Sequence, residues 1–311
     1  MRRTVSARTH EPALVDDAGG RRSKLRGIVL QLTPTARYLS IGTDDDRIER
    51  YVRASYPELL ADGVPPAAAD RGIIRTGSAP ATVTFNGRPL PRPKPNERRS
   101  PWSSGAYIVD QFLWRSVARD AAWLSLYGCA VALNGRVVAI VGPSGAGKTT
   151  LGLALTRLGA RLYGDEMIVI HRTSGLVAVI ARRLAVRERT LAILGDPRLS
   201  AIVGASYHVT SGSERTYYVG RDALDESFAP MPPPLPLGAL VVLKRGEGPV
   251  AVRAVSPACA ALAAAPYFGS RPGDLSEVAG LVGVLRGAAT LELTATEPRA
   301  AAACLVEALA P

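Results

Sequence analysis

Val137-Val138-Ala139-Ile140-Val141-Gly142-Pro143-Ser144-Gly145-Ala146-Gly147-Lys148-Thr149-Thr150 decides the reading of this chain. An apolar run leads into G-x-x-x-x-G-K-T, and a helix-compatible run from Leu151 to Leu158 follows. A buried strand before such a loop and a helix after it are the context that a P-loop (Walker A) requires. Glycines at 142, 145 and 147 let the backbone bend so that successive N–H groups converge on phosphate oxygens. The helix N-terminus adds partial positive charge at the same place. The pattern predicts that Gly142, Ser144, Gly145, Ala146, Gly147, Lys148, Thr149 and Thr150 bind a nucleoside triphosphate. Lys148 is in reach of the β- and γ-phosphates, and the Thr149 hydroxyl is placed for Mg²⁺. A nucleoside triphosphate and Mg²⁺ are therefore the expected ligands, with ATP, GTP and pyrophosphate all open as the donor. The bland alternative is a Gly-rich turn with a surface lysine, and the flanking elements argue against it.

Asn134-Gly135 stands between Ala130–Leu133 and Arg136–Val141, a strong hairpin signal that pairs the strand before the loop with its antiparallel predecessor. After the loop and its helix, Gly159 fits a helix C-cap, and Arg161 to Ile170 reads as a strand. Asp165 and Glu166 arrive 17 and 18 residues after Lys148. A ten-residue helix carries the chain away by roughly 15 Å at about 1.5 Å per residue, and five or six extended residues at ~3.3 Å return it by a similar length. The acid pair is thus expected beside the phosphates, where one carboxylate holds the metal or its water and the other accepts a proton from an attacking hydroxyl. Two solvated acids on a surface turn are the competing reading.

Further out, residues 1–24 read as a mobile tail and residues 25–87 as a small N-terminal α+β domain. That domain contains a strand over Leu25–Leu32, a helix over Asp44–Leu60, and a strand over Ala81–Phe85 ending at the Asn86-Gly87 turn. Residues 88–105 include Arg88-Pro-Leu-Pro-Arg-Pro-Lys-Pro95 and read as a stiff Pro-rich linker, and residues 106–311 as the P-loop domain. Within it the pattern predicts a helix over Val109–Ala122, strands over Leu176–Ala181, Gly238–Leu243 and Ala289–Leu293, and helices over Leu275–Leu285 and Pro298–Leu309.

Bulk properties narrow the function. The net charge of +11 is almost wholly arginine, with lysine at only four positions (24, 94, 148 and 244). Much of it lies in the N-terminal third without interleaved aromatics, so no specific nucleic acid is expected. Cys129, Cys259 and Cys304 are too scattered for a disulfide framework or a zinc site, and His10, His171 and His208 form no metal spacing. No apolar stretch approaches a membrane span and the N-terminus lacks an apolar signal core, so a cytoplasmic protein is expected. A homo-oligomer is compatible with the sequence.

Leu126-Tyr127-Gly128-Cys129-Ala130-Val131, the loop at 142–149, and Leu158-Gly159-Ala160-Arg161-Leu162-Tyr163-Gly164-Asp165-Glu166 together resemble the bacterial HPr serine kinase/phosphorylase group and its shorter relatives. The resemblance spans roughly residues 110 to 309, and the spacing from loop to acid pair is its specific part. It implies an α/β fold with a PEP-carboxykinase-like P-loop core and mixed sheet. It also implies phosphoryl transfer from ATP to a serine hydroxyl, with Glu166 at the proton-acceptor position. Two departures stand out: Tyr127 replaces the family's histidine, and Glu166 stands where the family has aspartate. The first removes the imidazole of the phosphorolytic reverse reaction. Some short relatives resemble tailoring enzymes that phosphorylate lasso-type precursor peptides, so a small protein or peptide acceptor is expected. A small-molecule hydroxyl kinase and a non-catalytic ATP sensor are the other readings.

Arg182-Arg183-Leu184-Ala185-Val186-Arg187-Glu188-Arg189 lies where relatives place a phosphate-facing basic segment. Strand alternation with Leu184 and Val186 inward puts Arg183, Arg187 and Arg189 on one face and Arg182 opposite. Glu188 is a candidate additional Mg²⁺ ligand, and a solvated arginine run is the alternative. Ser213 to Tyr218 is read as a hairpin within range of nucleotide or acceptor.

Overall fold

A computed structural model describes residues 14–15, 23–32, 35, 37–63, 65–76, 82–90, 101–211, 214–224, 233–269 and 273–310. Most of the expected tail and the core of the Pro-rich segment lie outside the described residues.

The larger sheet has seven strands and is mixed. In spatial order they are Leu176–Val179, Arg161–His171, Trp123–Leu133, Arg136–Val141, Leu235–Arg245, Ala289–Ala295 and Ala251–Ala254. Arg136–Val141, Leu235–Arg245 and Ala289–Ala295 run parallel, while the remaining neighbours pair antiparallel. The start of Leu235–Arg245 also pairs with Leu176–Val179, which curls one end of the sheet towards closure. Arg136–Val141 lies in the centre, buried from Val137 to Val141. That position explains its unbroken apolar composition, since a strand covered on both faces has no reason to alternate. The hairpin turn is formed as expected: Asn134 and Gly135 have φ of 52° and 71°, the left-handed pair of a two-residue type I′ turn.

The helix Lys148–Thr156 leaves the central strand and packs on the face carrying Cys129, Val131, Val138 and Ile140. Its Gly152 lets the helix lie close, because a Cβ there would sit 2.5 Å from Cys129 Sγ. The helix Pro298–Ala308 packs beside it, while Leu275–Leu285 and Pro257–Ala264 cover the opposite face. A small sheet of Leu184–Arg187, Glu214–Val219 and Tyr207–Ser211 stands over the phosphate-loop side.

Arg26–Leu32, Arg37–Thr43, Asp70–Arg75, Thr82–Phe85 and Arg88–Pro89 form a separate five-stranded sheet. Three of its strands, Arg37–Thr43, Asp70–Arg75 and Arg88–Pro89, are additional to the elements expected from sequence, and the last lies in the segment expected as a linker. The first helix spans Asp46–Ser55 rather than Asp44–Leu60. Pro57 cannot donate to a continuing helix and disfavours helical backbone at Tyr56, so a 3₁₀ turn over Pro57–Leu59 replaces the last turn.

The helix expected over Val109–Ala122 spans Pro101–Val117, and so begins inside the segment expected as a linker. Its buried side chains Val109, Phe112, Leu113 and Val117 share one core with Ile28, Leu30, Ile41 and Tyr51 of the five-stranded unit. The same core continues to Met167, Val169, Ile180 and Tyr218 of the larger unit, so this helix is packed from both sides. Phe112 presses on the five-stranded sheet at Gly72, where a Cβ would lie 2.3 Å from the ring. Asp70, only 3% exposed, accepts from Ser116 Oγ at 2.6 Å, Asn86 Nδ2 at 2.8 Å and Arg37 Nη2 at 3.0 Å. These bonds satisfy the buried carboxylate and tie the end of the helix to the sheet. No helix of the described residues is long and apolar enough to cross a membrane.

Candidate active site

The glycines of the loop are needed for two different reasons. Gly145 and Gly147 have φ of 82° and 98°, where a side chain would be strained. Gly142 is fixed by close approach: a Cβ would lie 2.5 Å from the Leu243 carbonyl oxygen on the neighbouring parallel strand. Gly147 caps the helix Lys148–Thr156, so the helix's free N–H groups open towards the loop. Lys148 is buried, and Nζ donates to the carbonyls of Gly142 at 2.9 Å and Pro143 at 3.0 Å. Burial draws its pKa below the ordinary lysine value, with the Glu166 and Asp165 carboxylates acting in the opposite sense.

The acid pair lies within the strand Arg161–His171, opposite Cys129 and Gly128 of Trp123–Leu133. Consecutive strand residues ordinarily point to opposite faces, which would separate Asp165 from Glu166. Here Glu166 has φ of 70°, a left-handed conformation in a non-glycine residue. It breaks the alternation, and both carboxylates line the same cavity. Such backbone costs about 1–3 kcal/mol and is concentrated at functional sites. Gly128, its cross-strand neighbour, has no room for a side chain, since a Cβ would lie 2.5 Å from Ile140 O.

Thr149 Oγ1 donates to Asp165 Oδ1 at 3.0 Å. Asp165 Oδ2 is buried with no hydrogen-bond partner among the described residues. Burial, then the charge of Glu166, pushes the Asp165 carboxyl up to about 7. A buried carboxylate oxygen left over beside the threonine of a phosphate loop is the donor set a hard divalent cation takes. These residues fit Mg²⁺. Tyr127 places its ring 4.6 Å from Lys148 Nζ. Burial, then Glu166 and Asp165, raises its pKa, so the phenol stays protonated.

The cavity holds about 460 Å³ and is lined by the loop from Ser144 to Thr150, Asp165, Glu166 and Tyr127. Arg187 and Arg189 line it too, near Glu214 at 3.8 and 3.5 Å. Thr216 and Tyr218 of the expected hairpin also reach it. Three sequence candidates, Gly142, Arg183 and Glu188, do not. The Arg183 backbone N–H donates to Ser55 O at 2.8 Å, and Glu188 opens the helix Glu188–Leu194, whose Arg189, Thr190 and Ile193 reach the cavity while Glu188 does not.

Arg182 takes the place expected for Arg183. The strand starts only at Leu184, so alternation does not extend back to Arg182, whose side chain is 7% exposed and points into the site. Its Nη1 lies 3.4 Å from Glu166 Oε2 and its Nη2 3.3 Å from Asp110 Oδ2. Burial disfavours its charge, but Asp110, Tyr51, Tyr56 and Glu166 outweigh that and keep it ionised. No local pattern marks Asp110 or Tyr51 as site residues, because they lie on packed faces of their helices.

No family model matches this chain, and no curated protein matches it. Among solved structures, it is similar to the HPr(Ser) kinase/phosphatase from Coxiella burnetii at 12% identity, over 60% of this chain and 92% of that one, with a TM-score of 0.30. A likeness at that level carries no argument about chemistry, which has to come from the residues of the site.

Proposed function

We propose that this protein is an ATP- and Mg²⁺-dependent kinase, related in kind to the HPr kinases and built on a PEP-carboxykinase-like P-loop core. It transfers the γ-phosphoryl group to a hydroxyl, a serine of a small protein or a lasso-type precursor peptide. The observation that carries the reading is the Thr149–Asp165 hydrogen bond with Asp165 Oδ2 left unpartnered beside the loop. A nucleotide-binding loop alone serves many functions, whereas a loop threonine bonded to one of two adjacent carboxylates supplies both a metal site and a base.

In this reading the N–H groups of residues 144–149 and Lys148 hold the phosphates. Thr149 and Asp165 would hold Mg²⁺, which would supply positive charge to offset that of the phosphates. Glu166, its side chain 29% exposed, takes the proton from the acceptor hydroxyl. Arg187 and Arg189 face the charge that spreads over the transferred group. Tyr127 keeps its proton near neutral pH and offers no base, so we assign the forward transfer only.

The test incubates purified protein with labelled ATP, Mg²⁺ and peptides encoded beside its gene, read by mass spectrometry for an added phosphoryl group. Lys148→Ala is expected to lower transfer by about 10²–10³-fold. Glu166→Gln is expected to lower kcat by about 10²-fold while ATP binding is retained. Transfer at the wild-type rate in Glu166→Gln would refute its assigned role. ATP hydrolysis with no transfer to any peptide or small hydroxyl compound would favour a nucleotide sensor instead.

A further inference from the structure

Tyr51 and Asp110 sit on helices that pack against the five-stranded sheet, and Tyr56 caps the first of them, yet all three converge on Arg182. Arg182 Nη2 donates to Tyr51 Oη at 2.9 Å, and Tyr51 Oη in turn donates to Asp110 Oδ1 at 3.2 Å. The Tyr56 hydroxyl donates to the same Asp110 oxygen. The rings of Tyr56 and Tyr218 flank the guanidinium, with centroids 5.7 and 6.0 Å from its carbon. A guanidinium is a rigid planar fork. Fixing one terminal nitrogen against Asp110 and Tyr51 therefore fixes where the other meets Glu166.

The backbone makes the same connection independently. Arg183 N donates to Ser55 O at 2.8 Å, docking the segment that carries Arg182 onto the end of the Asp46–Ser55 helix. Glu166 needs such a restraint. Its left-handed backbone is not reinforced by a bulky cross-strand neighbour, because Gly128 stands opposite.

We propose that Arg182 is a positioning residue for Glu166, and that the helices Asp46–Ser55 and Pro101–Val117 complete the catalytic site by holding Arg182 through Tyr51, Tyr56 and Asp110. The proposal rests on the kinase reading, specifically on Glu166 as proton acceptor. The N-terminal unit is then part of the catalytic machinery rather than an appendage, and displacing it would misplace the base without emptying the phosphate site.

The test is a double-mutant cycle in the full-length chain with Arg182→Met, Glu166→Gln and the pair, reading kcat, KM for ATP and binding of a non-hydrolysable ATP analogue. Arg182→Met is expected to lower kcat by about 10²-fold with KM for ATP and analogue binding unchanged. The double variant is expected to be no slower than Glu166→Gln alone, because one residue acts through the other. Arg182→Lys is expected not to rescue, since a single ammonium cannot span both carboxylates. Should Arg182→Met fail to fold, Asp110→Asn carries the same test, with kcat reduced and analogue binding intact. Additive losses in the double variant, or a wild-type kcat in Asp110→Asn, overturn the proposal while leaving the kinase reading standing. A wild-type kcat in Glu166→Gln, or no transfer by the unaltered protein, overturns the kinase reading itself.

Discussion

The phosphate loop and the Arg182 cluster border the same cavity and are built in opposite ways. The loop is a contiguous stretch, 142–149, whose work is done by backbone N–H groups, two left-handed glycines and one lysine. The Arg182 cluster draws Tyr51, Asp110, Glu166, Arg182 and Tyr218 from five separate stretches of chain, and the contacts at its centre are between side chains. A site made of backbone depends on local conformation, so its chemistry is written in residue order. A site made of side chains meeting across elements depends on packing, so its chemistry appears only when the elements are placed. The two regions should therefore fail differently when disturbed.

The largest expected difference comes from the core that supports the cluster but not the loop. Phe112 is fully buried between the five-stranded sheet and the rest of the molecule. Phe112→Ala is expected to reduce the free energy of unfolding by about 3–5 kcal/mol, measured by denaturant titration. At a temperature where the variant remains folded, it should slow phosphoryl transfer and leave ATP-analogue affinity unchanged. Equal loss of both would mean that the two regions are one unit.

A smaller effect concerns pH, at the point where the loop meets the acid pair. The Asp165 carboxyl is raised from 3.8 to about 7, so between those values the folded protein holds a proton that the unfolded chain has lost. Stability from this group is complete below the unfolded value and declines as pH rises through that window. Mg²⁺ requires the ionised form. Its affinity, followed by calorimetry, should rise about tenfold per pH unit up to about pH 7 and then level off. A flat Mg²⁺ affinity across that range would remove Asp165 from the metal site.

The smallest effect tests how local the loop's support is. Gly135 has φ of 71°, and a Cβ placed on it would meet no atom within 4 Å, so Gly135→Ala introduces backbone strain alone. The cost should be about 1 kcal/mol in thermal melts, with kcat and KM for ATP untouched.

Much of the larger unit is legible in the sequence. The hairpin at Asn134-Gly135, the strand Arg161–His171 that returns the acids to the loop, and the helix Leu275–Leu285 follow from turn chemistry and apolar periodicity, which act over a few residues. The elements that the sequence hides or misplaces depend on longer-range facts. The helix Pro101–Val117 begins within a Pro- and Arg-rich stretch whose composition suggests a linker, and its place between two sheets is set by partners distant in sequence. Arg182 falls on the wrong side when alternation is carried past the start of its strand.

By itself, the order of residues determined that this chain makes a glycine-rich loop between strand and helix and brings two acids back to it, because both depend on spacing and on glycine backbone. Only the tertiary structure decided that Glu166 turns to the same side as Asp165, and that Arg182 rather than Arg183 faces it. A left-handed residue inside a strand and a salt bridge between distant elements are held by packing around them, and no short stretch of sequence contains that packing.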